Sequence, residues 1–256
     1  MSRMIFEEEH NMFRDSVRKF CEQEVVPYHE QWEKDGMVSR EVWLKAGEAG
    51  FLAMSVPEEY GGLGIEDFRY NAVIGEEMAY CGANGPGFTL QNDITVGYII
   101  NYGTEEQKKK YLPGIVSGEI ITAIAMTEPG TGSDLQGIAT FAEDRGDHYV
   151  MNGQKTFITN GVLCDLCIVV ARTSKEKGHK SMSLLLVESA WDGYAEGKKL
   201  DKIGLHAQDT AELFFKDVRV PKENLLGGEE GMGFVHLMQQ LPEERLSIAI
   251  AAVATC

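Results

Sequence analysis

The 256-residue sequence is short of positive charge, of cysteine and of long apolar runs, and each shortage removes a class of function. Its 24 lysines and arginines stand against 40 aspartates and glutamates, a formal net charge of −16. A protein whose main partner is nucleic acid needs a basic face to neutralise phosphates, so no nucleic-acid partner is expected. The same deficit means that a site for an anionic ligand must carry its own local cation, such as Arg245. The five cysteines, at 21, 81, 164, 167 and 256, are too few and too irregular for a disulfide framework, which fits a reducing compartment. Cys164 and Cys167 have C-x-x-C spacing, but no second cysteine or histidine pair lies nearby to complete a zinc site. They sit in the apolar run Val162 to Val170 and are expected to be strand side chains, so no metal is assigned. Met1 to His10 carries Glu7, Glu8 and Glu9 and no apolar segment after its arginine, unlike a secretory signal or an acid-poor transit peptide. No apolar run reaches the roughly 18 residues needed to span a membrane. The expected location is the cytoplasm, or the mitochondrial matrix if a transit peptide has been removed. Internal repeats and low-complexity segments are absent. So is a dinucleotide fingerprint, because Gly62-Leu63-Gly64 lacks the third glycine and follows a helix where a strand is required.

What is present is enough apolar residue, 43% of the chain, to bury one large or two modest domains. Phe6, Phe13, Val17, Phe20 and Val25 recur at helical spacing, predicting an amphipathic helix from Ile5 to Trp32 that is checked near Pro27. Ser39 is placed to cap a second helix running through Ala49, with Gly50 ending it. A glycine-rich loop, 57–64, precedes two further helices, 66–80 and 87–102. Thr104-Glu105-Glu106-Gln107 is a capping box that opens a helix closing at Gly118. Beyond Gly118 the period becomes alternating and β-branched, with strands predicted at 120–126, 138–143, 148–152, 156–158, 163–171, 181–187 and 212–218. Close turn signals between them point to a β-sandwich or barrel. Helix returns at Gly231. The fold class is therefore α+β: an N-terminal all-α domain over 1–119, a middle β domain over 120–230, and over 231–256 the first helix of a third domain. The last nine residues, Ile248 to Cys256, are almost wholly apolar, with no capping residue and no basic last turn. A helix stopping there leaves an apolar face without a packing layer, so the chain is expected to be cut short.

The stretch that organises the rest is Ala123-Ile124-Ala125-Met126-Thr127-Glu128-Pro129-Gly130-Thr131-Gly132-Ser133-Asp134, a strand emptying into a tight polar turn. Gly130 and Gly132 let a ligand approach the backbone, and Thr127 and Ser133 offer hydroxyls to phosphate or carbonyl oxygens. A plain hairpin turn is the alternative. Asn152-Gly153-Gln154-Lys155-Thr156-Phe157-Ile158-Thr159-Asn160-Gly161 follows, where Phe157 and Ile158 also suit an alternating sandwich strand and Thr159-Asn160-Gly161 a turn.

Together these two stretches resemble the flavin-binding middle domain of the acyl-CoA dehydrogenases, with its T-E-P-G-x-G-S-D loop and N-G-x-K-x-(W/F)-I-(S/T)-N strand. The resemblance covers essentially the whole chain, through Glu59-Tyr60-Gly61-Gly62-Leu63-Gly64, Ala207 to Phe215 and Leu241-Pro242-Glu243-Glu244-Arg245-Leu246, and is nearest to the long-chain branch. It implies a non-covalent FAD and a fatty acyl-CoA substrate oxidised to the trans-2-enoyl-CoA. It also implies a homotetramer passing electrons to an electron-transfer flavoprotein. Backbone at Met126 and Thr127 would meet the polar edge of the flavin, and Ile124, on local pattern an ordinary strand residue, is placed by the resemblance among the cofactor contacts. Gly132 and Ser133 would meet its pyrophosphate, Phe157 would lie against the ring in place of the usual tryptophan, and Thr159 would approach N5.

The long-chain and isovaleryl branches carry their base in a pattern ending E-R-L, which makes Glu244 the implied α-proton base. Its neighbour Arg245 would contact CoA or the enolate, or form half of a surface ion pair. On local pattern alone Glu244 reads as a solvated surface glutamate. Pro86-Gly87 stands where acyl-binding helices of relatives meet, and either deepens that cavity or simply turns the chain between helices. Ser133 is also counted among the substrate contacts. An acyl-CoA oxidase, a short branched-chain dehydrogenase and a non-enzymatic acyl-CoA-binding or assembly protein are the rival functions.

Overall fold

The computed structural model describes residues 4–82, 84–176 and 178–256. The first half is helical, as the periodicity predicts. α1 (Glu8–Phe20) passes through a π-turn, Cys21–Val25, into α2 (Val26–Asp35). Pro27 has no N–H, and the wider turn just ahead of it lets the helix continue where a break was predicted. α3 (Arg40–Glu48) opens on Ser39, whose hydroxyl accepts from the Glu41 amide at 3.1 Å. α4 (Arg69–Tyr80) follows. α5 (Phe88–Leu90) widens into a second π-turn, Gln91–Thr95, and resumes as α6 (Val96–Tyr102). α7 (Glu105–Ser117) carries the full Thr104/Gln107 capping box and ends on left-handed Gly118.

Among the described residues, seven strands then join in one curled, mixed sheet: β1 (Thr122–Ala125), β2 (Phe141–Asp144), β3 (His148–Thr159), β4 (Leu166–Arg172), β5 (Met182–Glu188), β6 (Tyr194–Lys199) and β7 (Thr210–Pro221). β4 pairs β1 in parallel and β5 antiparallel, while β3 pairs β2 and β7 antiparallel. Three details differ from the predicted strands. Residues 148–159 form one strand, not two, because bulges near Gly153 and Phe157 interrupt its alternation without ending it. At the first bulge a side chain is excluded, since a Cβ on Gly153 would lie 2.3 Å from the Thr140 hydroxyl. β6 was not predicted; among the described residues Tyr-Ala-Glu-Gly-Lys-Lys pairs only with β7, and it is mostly exposed, so it has no buried face to write an apolar pattern. Cys164 sits in the turn before β4, its amide bonded to the Asn160 carbonyl, whereas Cys167 is in the strand.

Three apolar clusters hold these elements together. The first is mainly helical, around Trp43, Phe51, Ile74 and Phe88. The second joins Ile99, Leu112, Ile115 and Leu237 to Leu166, Ile168 and Val170 of β4. The third lines the inside of the sheet, with Cys167, Val169 and Ala171 from the opposite face of β4. Because β4 is buried on both faces, its sequence reads as an unbroken apolar run. The last helix, α8 (Gly233–Thr255), crosses α4 and the second π-turn and runs without a break through Pro242.

Candidate functional site

The polar loop after β1 is pinned on both sides. Glu128 and Thr131 exchange backbone hydrogen bonds of 2.9 and 3.1 Å across Pro129-Gly130, and the Thr127 carbonyl accepts from the Thr156 amide of β3 at 2.9 Å. Beneath the loop, Lys155 is fully buried and its Nζ donates to the Met126 carbonyl and to Glu128 Oε1, each at 2.9 Å. Glu128 also accepts from the amides of Ala139 at 2.7 Å and Thr140 at 2.9 Å. Burial opposes its charge, but Lys155 and these donors outweigh that and keep the carboxyl below the usual range. Burial in turn pulls the Lys155 ammonium down to about 8 against the attraction of Glu128. The loop is therefore held from inside, leaving its outer edge free. A Cβ built on Gly130 or Gly132 meets nothing within 4 Å.

Between Lys155 and Ile158 the register of β3 slips, and Phe157 takes φ +60°. A non-glycine residue in this region costs on the order of 1 kcal/mol or more, and such strain is commonly kept where it places a side chain. Here it turns an aromatic ring outward, 66% exposed, while Lys155, Thr156 and Ile158 stay buried. Asn160 is also left-handed, at φ +58°, and its Nδ2 donates to the Thr122 carbonyl at 3.1 Å. Its Oδ1 would lie 2.2 Å from a Cβ on Gly87, so glycine there lets the end of β3 dock against the start of α5.

Two cavities of about 450 Å³ each flank α8. One is a groove between α4, the start of α5 and α8. Met78, Pro86, Leu90, Ile94, Ile248 and Ala251 supply its apolar wall, and Thr159 and Ser247 are among its polar members. The other is a cleft bringing Met126, Thr127, Gly132 and Ser133 of the loop against Phe234, Met238 and Arg245 of α8. Arg245 makes no ion pair among the described residues. Of the residues singled out in the sequence, Pro86 and Thr159 line the groove, and Met126, Thr127, Gly132, Ser133 and Arg245 share the cleft. Ile124 packs half-buried against the second core cluster, while Gly87 serves the Asn160 contact.

Glu244 is buried on α8, on the helical face that carries Ile248, Ala251 and Thr255 into the groove. Tyr98 of α6, one turn beyond the groove residue Ile94, donates its hydroxyl to Glu244 Oε1 at 2.7 Å. Burial pushes the Glu244 carboxyl up, and the Tyr98 bond and the Arg245 charge draw it partly back. Glu243, the preceding residue, is exposed. Next along the buried face, Ser247 donates to Asp93, which also accepts from Asn71 Nδ2 at 2.7 Å. Burial raises the Asp93 carboxyl to about 6. Sequence reasoning missed Tyr98, Asp93 and Lys155. Lys155 lies inside the 152–161 stretch and was within reach, but Tyr98 and Glu244 are 146 positions apart and share no local pattern.

Models described as the acyl-CoA dehydrogenase N-terminal domain and middle domain match residues 7–119 and 123–218. The mitochondrial long-chain specific acyl-CoA dehydrogenase of Rattus norvegicus is 54% identical over 256 residues, 99% of this chain and 59% of the relative. The chain thus spans 59% of the length of such curated relatives. Among solved structures, an acyl-CoA dehydrogenase from Geobacillus kaustophilus matches with a TM-score of 0.95 at 54% identity, over 99% of this chain and 67% of that one. An acyl-CoA dehydrogenase from Bacillus anthracis complexed with FAD matches at 0.88 and 35% identity, over 99% and 43%. Among the described residues, no helix is long and apolar enough to cross a membrane.

Proposed function

The chain belongs to the acyl-CoA dehydrogenase family, and from that premise we propose that the protein converts long-chain fatty acyl-CoA to trans-2-enoyl-CoA with bound FAD. It would work as a homotetramer and pass electrons to an electron-transfer flavoprotein. The observation that carries this reading is the Glu244 carboxylate, buried on the groove face of α8 beside the cleft that ends at Arg245.

The residues present fit FAD. Phe157 offers an exposed aromatic face held by a strained bulge, and Gly130 and Gly132 leave the loop edge open to a bulky anion. Met126 and Thr127 would hold the polar edge of the ring, Gly132 and Ser133 the pyrophosphate, and Thr159 would stand near the reacting centre. When bound, FAD supplies the acceptor for the β-hydrogen as hydride. The chain's own task is the proton. Glu244 would take the α-proton, its basicity raised toward neutrality by burial. Arg245, without an ion pair among the described residues and in the cleft shared with Ser133, would meet the anionic CoA portion and offset the repulsion from a chain of net charge −16. The wall of α8 from Ser247 to Thr255 runs about 12 Å, and with Met78, Leu90 and Ile94 opposite it suits an extended acyl chain over a short branched one.

Anaerobic mixing of the flavin-loaded protein with a series of acyl-CoAs tests this directly. Long straight chains should bleach the flavin fastest. Glu244→Gln should keep FAD and substrate binding and lower the reduction rate by about a hundredfold or more. Glu243→Gln, exposed and about 100° away around the helix, should change little. Fast reduction in the Glu244→Gln protein would remove the base from this helix and the long-chain assignment with it.

A further inference from the structure

We propose that Tyr98 is a positioning residue for Glu244, fixing one carboxylate oxygen so that the other is presented to the substrate; this rests on Glu244 being the base. Tyr98 is fully buried, and its hydroxyl donates to Oε1 at 2.7 Å. Among the described residues, no hydrogen bond reaches Oε2. A carboxylate satisfied at both oxygens would be oriented but poorly basic, and one satisfied at neither would be free to rotate and costly to bury. A single donor orients the group and leaves a lone pair for a carbon-bound proton. Phenylalanine would fill the same space, so the buried hydroxyl is the informative atom. Burial and the neighbouring Glu244 charge push the Tyr98 phenol well above its ordinary range, so it remains a donor at every working pH.

The other titratable and charged groups around this point are few. Asp93 of the π-turn is tied to Ser247, and Tyr102 lies beyond Tyr98 on α6. On α4, Glu76 and Glu77 pair with arginines of α1. His179 and Lys180 pack near the start of α8, where His236 stacks on Tyr102. Glu243 and Arg245 flank Glu244 on its own helix.

In the flavin-loaded protein, the rate of anaerobic flavin reduction by a long-chain acyl-CoA should rise with pH as Glu244 loses its proton. Tyr98→Phe removes the donor that favours the charged form and keeps the ring, so the rise should move up by about one pH unit with FAD content unchanged. Placing 3-fluorotyrosine at position 98, a stronger donor of nearly the same shape, should move it down. The infrared carboxyl band of Glu244, identified by its loss in Glu244→Gln, should titrate with the same displacements in the absence of substrate. Asp93→Asn should leave both titrations where they are. A Tyr98→Phe protein slowed equally at all pH values, with its titration in place, has lost only packing and would overturn the proposal. A titration that follows Asp93→Asn instead would do the same. If Tyr98→Phe fails to fold, the fluorotyrosine protein decides: an unmoved titration there rejects the role. Wild-type reduction by Glu244→Gln would instead reject the base itself, which keeps the two failures apart.

Discussion

Burying a charged side chain costs several kcal/mol unless a partner or a proton offsets it, and the buried ionisable groups here meet that cost in different ways. Lys155 and Glu128 answer each other and share their remaining hydrogen bonds with backbone, so the pair acts as a pin between β3 and the loop. Replacing one member leaves the other charged and alone. Lys155→Met should lower stability by about 3–5 kcal/mol, seen in chemical denaturation, and should weaken FAD retention because Met126 loses its tether. Adding Glu128→Gln should recover much of the stability but not the loop geometry. A single variant as stable as the wild type would mean that the pin carries no load. The pair was legible only in part: both residues stood in the stretches that drew attention, yet their contact depends on β3 passing beneath the loop.

At the scale of elements, the second π-turn matters most. An extra residue in the turn carries Gln91, Asn92, Asp93 and Thr95 inward together, and between them they tie the helix to β1, α7, the segment after α3, α4 and α8. Gln91 accepts from the Thr122 amide at 3.0 Å and donates to the Ile115 carbonyl at 3.0 Å. Asn92 bonds the backbone of Phe51 and Ala53 at 2.8 and 2.7 Å. Asp93 joins Asn71 of α4 to Ser247 of α8. Its carboxyl titrates near 6 in the folded chain, against an ordinary value of 3.8. The native state therefore holds this proton more tightly than the unfolded state, and the contribution to stability rises as pH falls from about 6 to about 4, staying level outside that window. Asp93→Asn should erase this component and raise stability near pH 8 by on the order of 2–3 kcal/mol. Urea titrations of both proteins at several pH values would check it. A difference that does not change with pH would show that Asp93 holds the same charge folded and unfolded.

Across the whole molecule, the helical and sheet halves share one apolar cluster through β4, so neither is expected to keep its fold alone. The surface is less complete around α8. Leu246, Ala249 and Val253 follow one another at i, i+3 and i+7 on its outer side, all exposed, with Val253 at 74%. An apolar stripe of this kind attracts other apolar surface. The 256-residue chain should bind the dye ANS, and Leu246→Lys with Val253→Lys should suppress that fluorescence without altering the groove residues on the opposite side. Equal dye binding in the double variant would place the apolar surface elsewhere.

Local pattern was enough for the presence of most helices and for several of their ends: Ser39, the Thr104/Gln107 box and Gly118 behave in the structure as their chemistry alone requires. It was enough for most strands too, because a half-buried strand writes its burial into every second residue and a strand buried on both faces, such as β4 or β5, into an unbroken apolar run. Where burial is absent, as in β6, or where a bulge shifts the period, as at Gly153 and Phe157, that signal disappears and only pairing with β7 defines the strand. The position of Glu244 was visible through its motif, but whether it is solvated or buried was not, since that depends on a tyrosine 146 residues earlier being carried to it by the crossing of α6 and α8. Sequence determines what each segment does with its own backbone and its own face. Tertiary structure decides which charges are taken out of water and what they meet there, because desolvation belongs to the packed whole and to no segment of it.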